Sequence, residues 1–188
     1  MKLVFLYSLL TSNLLIAQMP INSPEFSSLF IQCLFTLKDH EDMNAHLRKC
    51  MKNRSYPKFR LNDWNNDLIS LSNNNDVQIF TFWDLDDDFE KEKILIEKLK
   101  SKYKSIKIVA FIKNDICLIS EKFQAEDLKE WHVIPEFENK NVMLSQYGWP
   151  MTFILNPNGT ILDFHLSGLM ECKNINSVED CLKQFYDQ

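Results

Sequence analysis

Several things are scarce or missing in this chain of 188 residues. Basic residues do not outnumber acidic ones: 21 Lys and Arg stand against 26 Asp and Glu, a formal net charge of −5 at neutral pH. That balance offers no electrostatic footprint for nucleic acid and no polybasic pull toward an anionic membrane; its ordinary effect is solubility. No two of the five cysteines, Cys33, Cys50, Cys117, Cys172 and Cys181, form a C-x-x-C pair, and an odd count leaves at least one thiol unpaired within a monomer. Beyond residue 17 no apolar run approaches the roughly 20 residues of a spanning helix. Glycine occurs three times, as Gly148, Gly159 and Gly168, all within one short block.

What is present suits one globular domain with a filled core, since 45% of residues are hydrophobic and 12% aromatic. The first residues read as a secretory signal over 1–17: Lys2 is a short positive end, Leu3 to Ala17 an apolar stretch, and Ala17-Gln18 the cut. The expectation is an exported protein, periplasmic or extracellular, with no membrane span after cleavage; a buried N-terminal helix is the alternative. No cysteine directly follows the cut, so a lipid-anchored terminus is not indicated. Five cysteines fit an oxidising compartment.

Residues 18–55 read as a helical extension. Ser23-Pro24-Glu25 places a hydroxyl cap, a proline at the first helical position and an acid in the first turn, and the apolar run Leu29 to Leu37 continues the helix. Asp39 is expected to cap a second helix in which Met43, Leu47, Cys50 and Met51 share a face. Packed as a hairpin, the two helices would bring Cys33 near Cys50, a candidate disulfide. His40 and His46 lie between these cysteines, but the spacing matches no familiar zinc finger, and no metal is expected.

From residue 56 the texture is mixed. Lys58 to Leu61 and Leu68 to Leu71 flank a polar turn and read as a β-hairpin. Val77 to Trp83 and Ile106 to Ile112 are near-continuous apolar segments, as strands buried on both faces require. Between them Phe89, Ile94, Ile96, Leu99 and Tyr103 recur at roughly helical period. A helix from Ser120 to about Trp131 follows, then a looser stretch. Met151 to Leu155 and Thr160 to Leu166 are strands joined by the turn Asn156-Pro157-Asn158-Gly159. Ser177 caps a final helix, with Cys172 in the loop before it and Cys172–Cys181 as a second candidate disulfide. The order predicts an α/β fold with a mixed central sheet flanked by helices.

Three stretches resemble the TlpA-like, or redoxin, branch of the thioredoxin superfamily. Tyr56-Pro57-Lys58-Phe59-Arg60-Leu61-Asn62-Asp63 with Leu68 to Ser72 is similar to that family's first hairpin. Val77-Gln78-Ile79-Phe80-Thr81-Phe82-Trp83 resembles the strand leading into its active-site helix. Tyr147-Gly148-Trp149-Pro150-Met151-Thr152-Phe153-Ile154-Leu155, followed by Asn158-Gly159-Thr160-Ile161 and Ser167-Gly168, resembles its late hairpin and holds all three glycines. The resemblance covers residues 56–188 and implies a thioredoxin-like fold.

It also implies a dithiol after Trp83, and here the chain departs from the family. Asp84-Leu85-Asp86-Asp87-Asp88-Phe89-Glu90 replaces the pattern, so that Asp87 and Glu90 stand where the two cysteines would be. A helix N-terminus favours a thiolate, and a carboxylate satisfies the same donors, but a carboxylate cannot attack a disulfide. The resemblance further implies that Trp149-Pro150 is a cis bond beside a groove for an extended peptide. Trp83, Asp86, Trp149, Pro150 and Met151 are its candidate lining. The expectation is a redox-inactive domain that binds a peptide or protein or serves a structural role, with no cofactor. A first alternative is a thiol-disulfide oxidoreductase using displaced cysteines, Cys117, Cys172 or Cys181. A second is a haloacid-dehalogenase-like phosphatase using Asp84 as nucleophile and Asp86 as acid/base. A calcium loop through Asp84, Asp86 and Asp88 is disfavoured because Phe89 stands where glycine is needed and Leu95 where Glu is needed.

Overall fold

The structure is a computed structural model that describes residues 24–38, 42–70, 76–85, 89–103, 105–113, 116–124, 127–135, 150–166, 168–169 and 172–186. The expected signal at 1–17 lies outside these residues. Among them, no helix is long and apolar enough to cross a membrane.

Two helices come first, α1 (Pro24–Phe35) and α2 (Met43–Met51). Pro24 is the first helical residue of α1, as its missing N–H and fixed φ favour. The cap of α2 is Asp42 rather than Asp39, which lies outside the described residues: the Asp42 carboxylate accepts from the Ala45 N–H at 2.8 Å. Cys33 and Cys50 form a disulfide between the two helices, with Cα atoms 5.7 Å apart, as the hairpin reading expects.

A two-stranded antiparallel ribbon follows, β1 (Arg60–Asn62) and β2 (Leu68–Ser70). The main sheet comprises β3 (Val77–Trp83), β4 (Ile106–Ile112), β5 (His132–Ile134), β6 (Met151–Leu155) and β7 (Ile161–His165), in the order β5-β4-β3-β6-β7. β3 is central, parallel to β4 and antiparallel to β6. The helices are α3 (Phe89–Lys102), α4 (Ile116–Lys122), α5 (Asp127–Glu130) and α6 (Cys172–Tyr186). This is the mixed α/β architecture that the sequence predicts.

Alternation along the strands sorts two cores. Phe80, Phe82, Val109, Phe111, Met151, Phe153, Leu155 and Phe164 face the side covered by α1, α2, Tyr56 and the ribbon. That side is an aromatic lattice in which Phe82 stacks on Phe111 at 4.4 Å and Tyr56 meets Phe80 and Phe153 edge-on at 5.4 and 5.1 Å. Ile79, Trp83, Ile108, Ala110 and Ile154 face α3, α4 and α6.

Three elements differ from the sequence expectation. The Ser120–Trp131 helix is two: α4 starts four residues earlier and ends at Lys122, and α5 is a single turn. Ser120 is no cap but donates back to the Cys117 carbonyl within α4. The looser stretch contains β5, which extends the sheet in parallel beyond β4. α6 begins at Cys172, so Ser177 lies inside it, free to serve another partner.

The extension is stitched to the sheet. Asn53 N–H donates to Ile161 O, Ile161 N–H to Arg54 O and Tyr56 N–H to Gly159 O, each at 2.8 Å, so residues 53–56 run along the outer edge of β7. Phe30, Cys33, Leu47 and Met51 are buried in the aromatic core. Asp163 on β7 ties both layers at this edge. Arg48 of α2 grips its carboxylate with two nitrogens, at 2.5 and 2.9 Å, and also hydrogen-bonds Ser177 Oγ. Ser177 of α6 donates to the same carboxylate at 3.0 Å, and His165 Nε2 approaches it at 3.2 Å.

Candidate functional site

The candidate site is the end of the sheet where β3 stops and β6 starts. β3 runs out at Trp83, and the Lys113 N–H bonds Trp83 O at 3.0 Å, carrying the β3–β4 ladder one step further. Lys113 Nζ then donates to Asp84 Oδ2 at 2.8 Å. On the other flank Met151 pairs with Phe82, which sets Pro150 at the head of β6 beside the central strand.

Four of the residues that the sequence singles out can be placed here. Trp83 is 1% exposed, edge-on to Phe89 at 4.9 Å and tilted against Trp131 at 5.6 Å, so it is a core residue and not part of a groove wall. Met151 is fully buried in the aromatic core, which likewise removes it from a groove surface. Pro150 is half-buried, and Glu90, in the first turn of α3, is exposed. Asp86, Asp87 and Trp149 lie outside the described residues, and with Trp149 so does the isomer of the Trp149-Pro150 bond.

The residue that sequence reasoning missed is Glu92. It is 1% exposed, and its Oε1 accepts from the Thr152 hydroxyl at 2.9 Å and from the Leu169 N–H at 3.2 Å. Thr81 Oγ1 lies 3.4 Å from Thr152 Oγ1, so a polar seam crosses from β3 through β6 to α3. Oε2 faces Gly168: a Cβ at that position would sit 2.5 Å from Oε2 and 2.7 Å from Pro150 Cγ. Gly168 also has φ +65°, a left-handed conformation that favours glycine. Pro150 and Glu92 thus both border the space that a side chain at Gly168 would fill. The signal for Glu92 is helical counting. Phe89 and Ile96 are seven apart, so the inward stripe takes in 92 and 93, and Ile94, which the sequence reading put inside, is 51% exposed.

The cysteines are elsewhere. Cys33 and Cys50 are bonded to each other on the extension. Cys117 is an exposed free thiol on α4. Cys181 is also free, which overturns the Cys172–Cys181 pairing; one helix carries both residues, and nine residues of helix rise span about 13 Å, against under ~7 Å for a bridge. Burial pushes the Cys181 thiol up to about 11, the Asp163 charge adds to this, and Lys52 and Arg48 offset it only in part. Two units above an ordinary thiol cut the thiolate by about 100-fold. At pH 7, iodoacetamide should therefore label Cys181 in the folded protein at least about 100-fold more slowly than in the denatured protein. Equal rates, read by peptide mass spectrometry, would contradict this placement.

Of the aspartates in the phosphatase and calcium readings, Asp86 and Asp88 lie outside the described residues and Asp84 lies within them. The Asp84 carboxylate is engaged by Lys113, and among the described residues no group of three His, Cys, Asp or Glu side chains is placed to hold a metal ion.

No family model and no curated protein matches the chain. Solved structures do. A protein of Chlorobium tepidum described as a thiol:disulfide interchange protein, DsbE, superposes with a TM-score of 0.54 at 22% identity, over 70% of this chain and 94% of that one. A thiol peroxidase of Chromobacterium violaceum superposes with a TM-score of 0.56 at 10% identity, over 73% and 88%. A thiol:disulfide interchange protein of a Bacteroides species does so with 0.52 at 19%, over 69% and 88%. At these identities the likeness is one of fold, and the fold is thioredoxin-like.

Proposed function

We propose that this chain is an exported thioredoxin-fold protein that does not exchange disulfides and instead binds an extended peptide or protein segment beside Pro150. The observation that carries the reading is the start of α3. Where that fold's dithiol chemistry would need thiols, the helix opens with Phe89 turned into the core and Glu90 turned to solvent, and its inward carboxylate, Glu92, is buried beside Gly168. The described free thiols lie on α4 and α6, and Cys181 is held in its unreactive form. The resemblance adds that the residue before Pro150, here Trp149, pairs its backbone with an extended chain.

Two measurements test this. With a model disulfide such as insulin and excess dithiothreitol, turnover should not exceed that of dithiothreitol alone. Robust catalysis would overturn the redox-inactive reading and favour an oxidoreductase working through Cys117, the exposed thiol. With a reduced, alkylated unfolded protein as ligand, amide shifts should concentrate at residues 151–152 and 168–169. No perturbation at millimolar ligand would overturn the binding reading. Export draws support from Lys2, the apolar 3–17 stretch and the Cys33–Cys50 disulfide. Protein recovered from the native host should begin near Gln18 on N-terminal sequencing, and an intact Met1 would contradict export by this leader.

A further inference from the structure

α1 and α2 are held to the molecule by contacts of different kinds. α2 is fastened directly to the sheet and its edge. Arg48 grips Asp163, Asn44 Oδ1 accepts from the Leu166 N–H at 3.1 Å, and the chain leaving α2 pairs with the edge of β7 through residues 53–56. α1 is tied to α2 by a covalent bond and hydrogen-bonding groups, and docks on the core through apolar side chains. The ties to α2 are the disulfide to Cys50 and His46 Nε2, which stands 2.8 Å from the Cys33 carbonyl oxygen and 3.1 Å from Thr36 Oγ1. Its apolar ties are Phe30 and Cys33, buried, with Leu29 and Leu34 partly so. The residue that ends it, Phe35, is 85% exposed. A 12-residue helix is marginal in water by itself, so α1 stays formed only while it stays docked.

The two sulfurs are unequally placed. Cys33 is fully buried, whereas Cys50 is partly exposed at the last turn of α2. Of the two residues, Cys50 is the one that offers surface to an incoming thiolate. We infer that the Cys33–Cys50 disulfide is a redox latch, which a dithiol reductant opens at Cys50 and which on opening releases α1 from α2 while α2 and the sheet remain folded. In the first step the reductant's thiolate bonds to Cys50 Sγ and the Cys33–Cys50 bond breaks, leaving Cys33 as a thiolate. In the second the reductant's other thiol attacks its own sulfur of the mixed disulfide and frees Cys50. The dithiol is oxidised to a disulfide by two electrons, the protein disulfide is reduced by the same two, and the two thiol protons end on Cys33 and Cys50. Closure is the reverse.

Release would open the core cluster that Phe30 and Cys33 of α1 share with Leu47 and Met51 of α2. The expected product is a locally opened, apolar-faced form and not an unfolded one, because none of the α2 ties to β7 involves a cysteine.

The test is hydrogen exchange by mass spectrometry on the full chain, oxidised and after dithiothreitol treatment, with the Cys33→Ser/Cys50→Ser variant as a second open form. Amides of residues 24–35 should exchange at least 10-fold faster in both open forms, while those of β3, β4 and β6 change by less than about 2-fold. Unchanged protection of α1 in the reduced protein would overturn the latch, since apolar docking would then suffice. Joint loss of protection in α1 and β3 would overturn it too, because the disulfide would then hold the whole fold. A disulfide that excess dithiothreitol fails to reduce under native conditions would overturn access through Cys50.

Discussion

Replacing Asp163 by alanine is expected to lower the unfolding free energy by about 3–5 kcal/mol, the usual range when one partner of a buried ionic network is removed. The carboxylate is buried and receives Arg48, Ser177 and His165 at once, from an element of each layer and from its own strand. Without it, a guanidinium and a buried imidazole face each other with nothing between them. Asparagine should cost less, since it keeps two acceptor lone pairs while losing the charge. For a protein of this size the alanine loss corresponds to roughly 10 °C in Tm.

Acid should reproduce part of that loss. Burial alone would raise the Asp163 carboxyl, but the hydrogen bond and charge of His165, then those of Arg48, outweigh it and hold the group at about 2, against 3.8 for an unperturbed aspartate. A group depressed on folding stabilises the folded state above its unfolded value and ceases to do so as it protonates. The contribution, roughly 2 kcal/mol by linkage, should be whole above about pH 5 and fade as pH falls from 4 toward 2. Denaturant melts of the wild type and of Asp163→Asn across that range isolate it from the other carboxylates: the gap between the two should narrow in acid. A gap constant from pH 6 to 2 would mean that Asp163 is not ionised in the fold.

How much of this the sequence discloses follows from the range of the forces involved. β3 and β4 are legible to the residue because a strand covered on both faces must be apolar almost throughout, and Val77 to Trp83 and Ile106 to Ile112 are. The β6–β7 hairpin is legible because its turn is local: Asn156 Oδ1 accepts from Asn158 N–H at 3.0 Å and from Thr160 N–H at 2.8 Å, and Gly159 takes φ +80°. β5 is not, since three residues carry no period and its pairing with β4 is supplied by the fold. Nor is the start of α6, because Ser177 looks like a cap in sequence while its hydroxyl in fact serves Asp163.

The site divides the same way. That the chain holds no C-x-x-C pair is a matter of residue identity and can be read directly. The Cys33–Cys50 bridge follows from a hairpin whose two helices have local signals. Arg48 and Asp163, 115 positions apart, give no sign of each other until α2 lies on β7. Glu92 escaped for a subtler reason. A carboxylate on the inward stripe of a helix looks like an error in the pattern unless its acceptors are already satisfied, and its donors, Thr152 and Leu169, come from the far end of the chain.

That arrangement makes Gly168 the second sensitive position. Gly168→Ala is expected to cost about 2–4 kcal/mol, although it adds a single methyl group. Part of the cost is backbone: at φ +65° an alanine loses about 1 kcal/mol relative to glycine. The rest is contact, because the new carbon would lie 2.5 Å from Glu92 Oε2 and 2.7 Å from Pro150 Cγ. Neither neighbour yields freely. Glu92 is anchored through its other oxygen by Thr152 and Leu169, and Pro150 is a ring fixed to the head of β6. Glu92→Ala removes the nearer obstacle but leaves Thr152 and the Leu169 N–H without their acceptor, so it is destabilising in its own right. Combined, the two substitutions should cost about 1 kcal/mol less than the sum of the singles, since the Oε2 clash exists only when both native Glu92 and the new methyl are present. Additivity within about 0.5 kcal/mol in denaturant melts of the four proteins would show that Glu92 does not pack on Gly168. If the backbone at Pro150 lies beside bound peptide, Gly168→Ala should also abolish the amide shifts at 151–152 that ligand induces, under conditions where the variant is still folded. A variant that is folded, destabilised and yet binds as the wild type does would separate the packing of this corner from the function proposed for it.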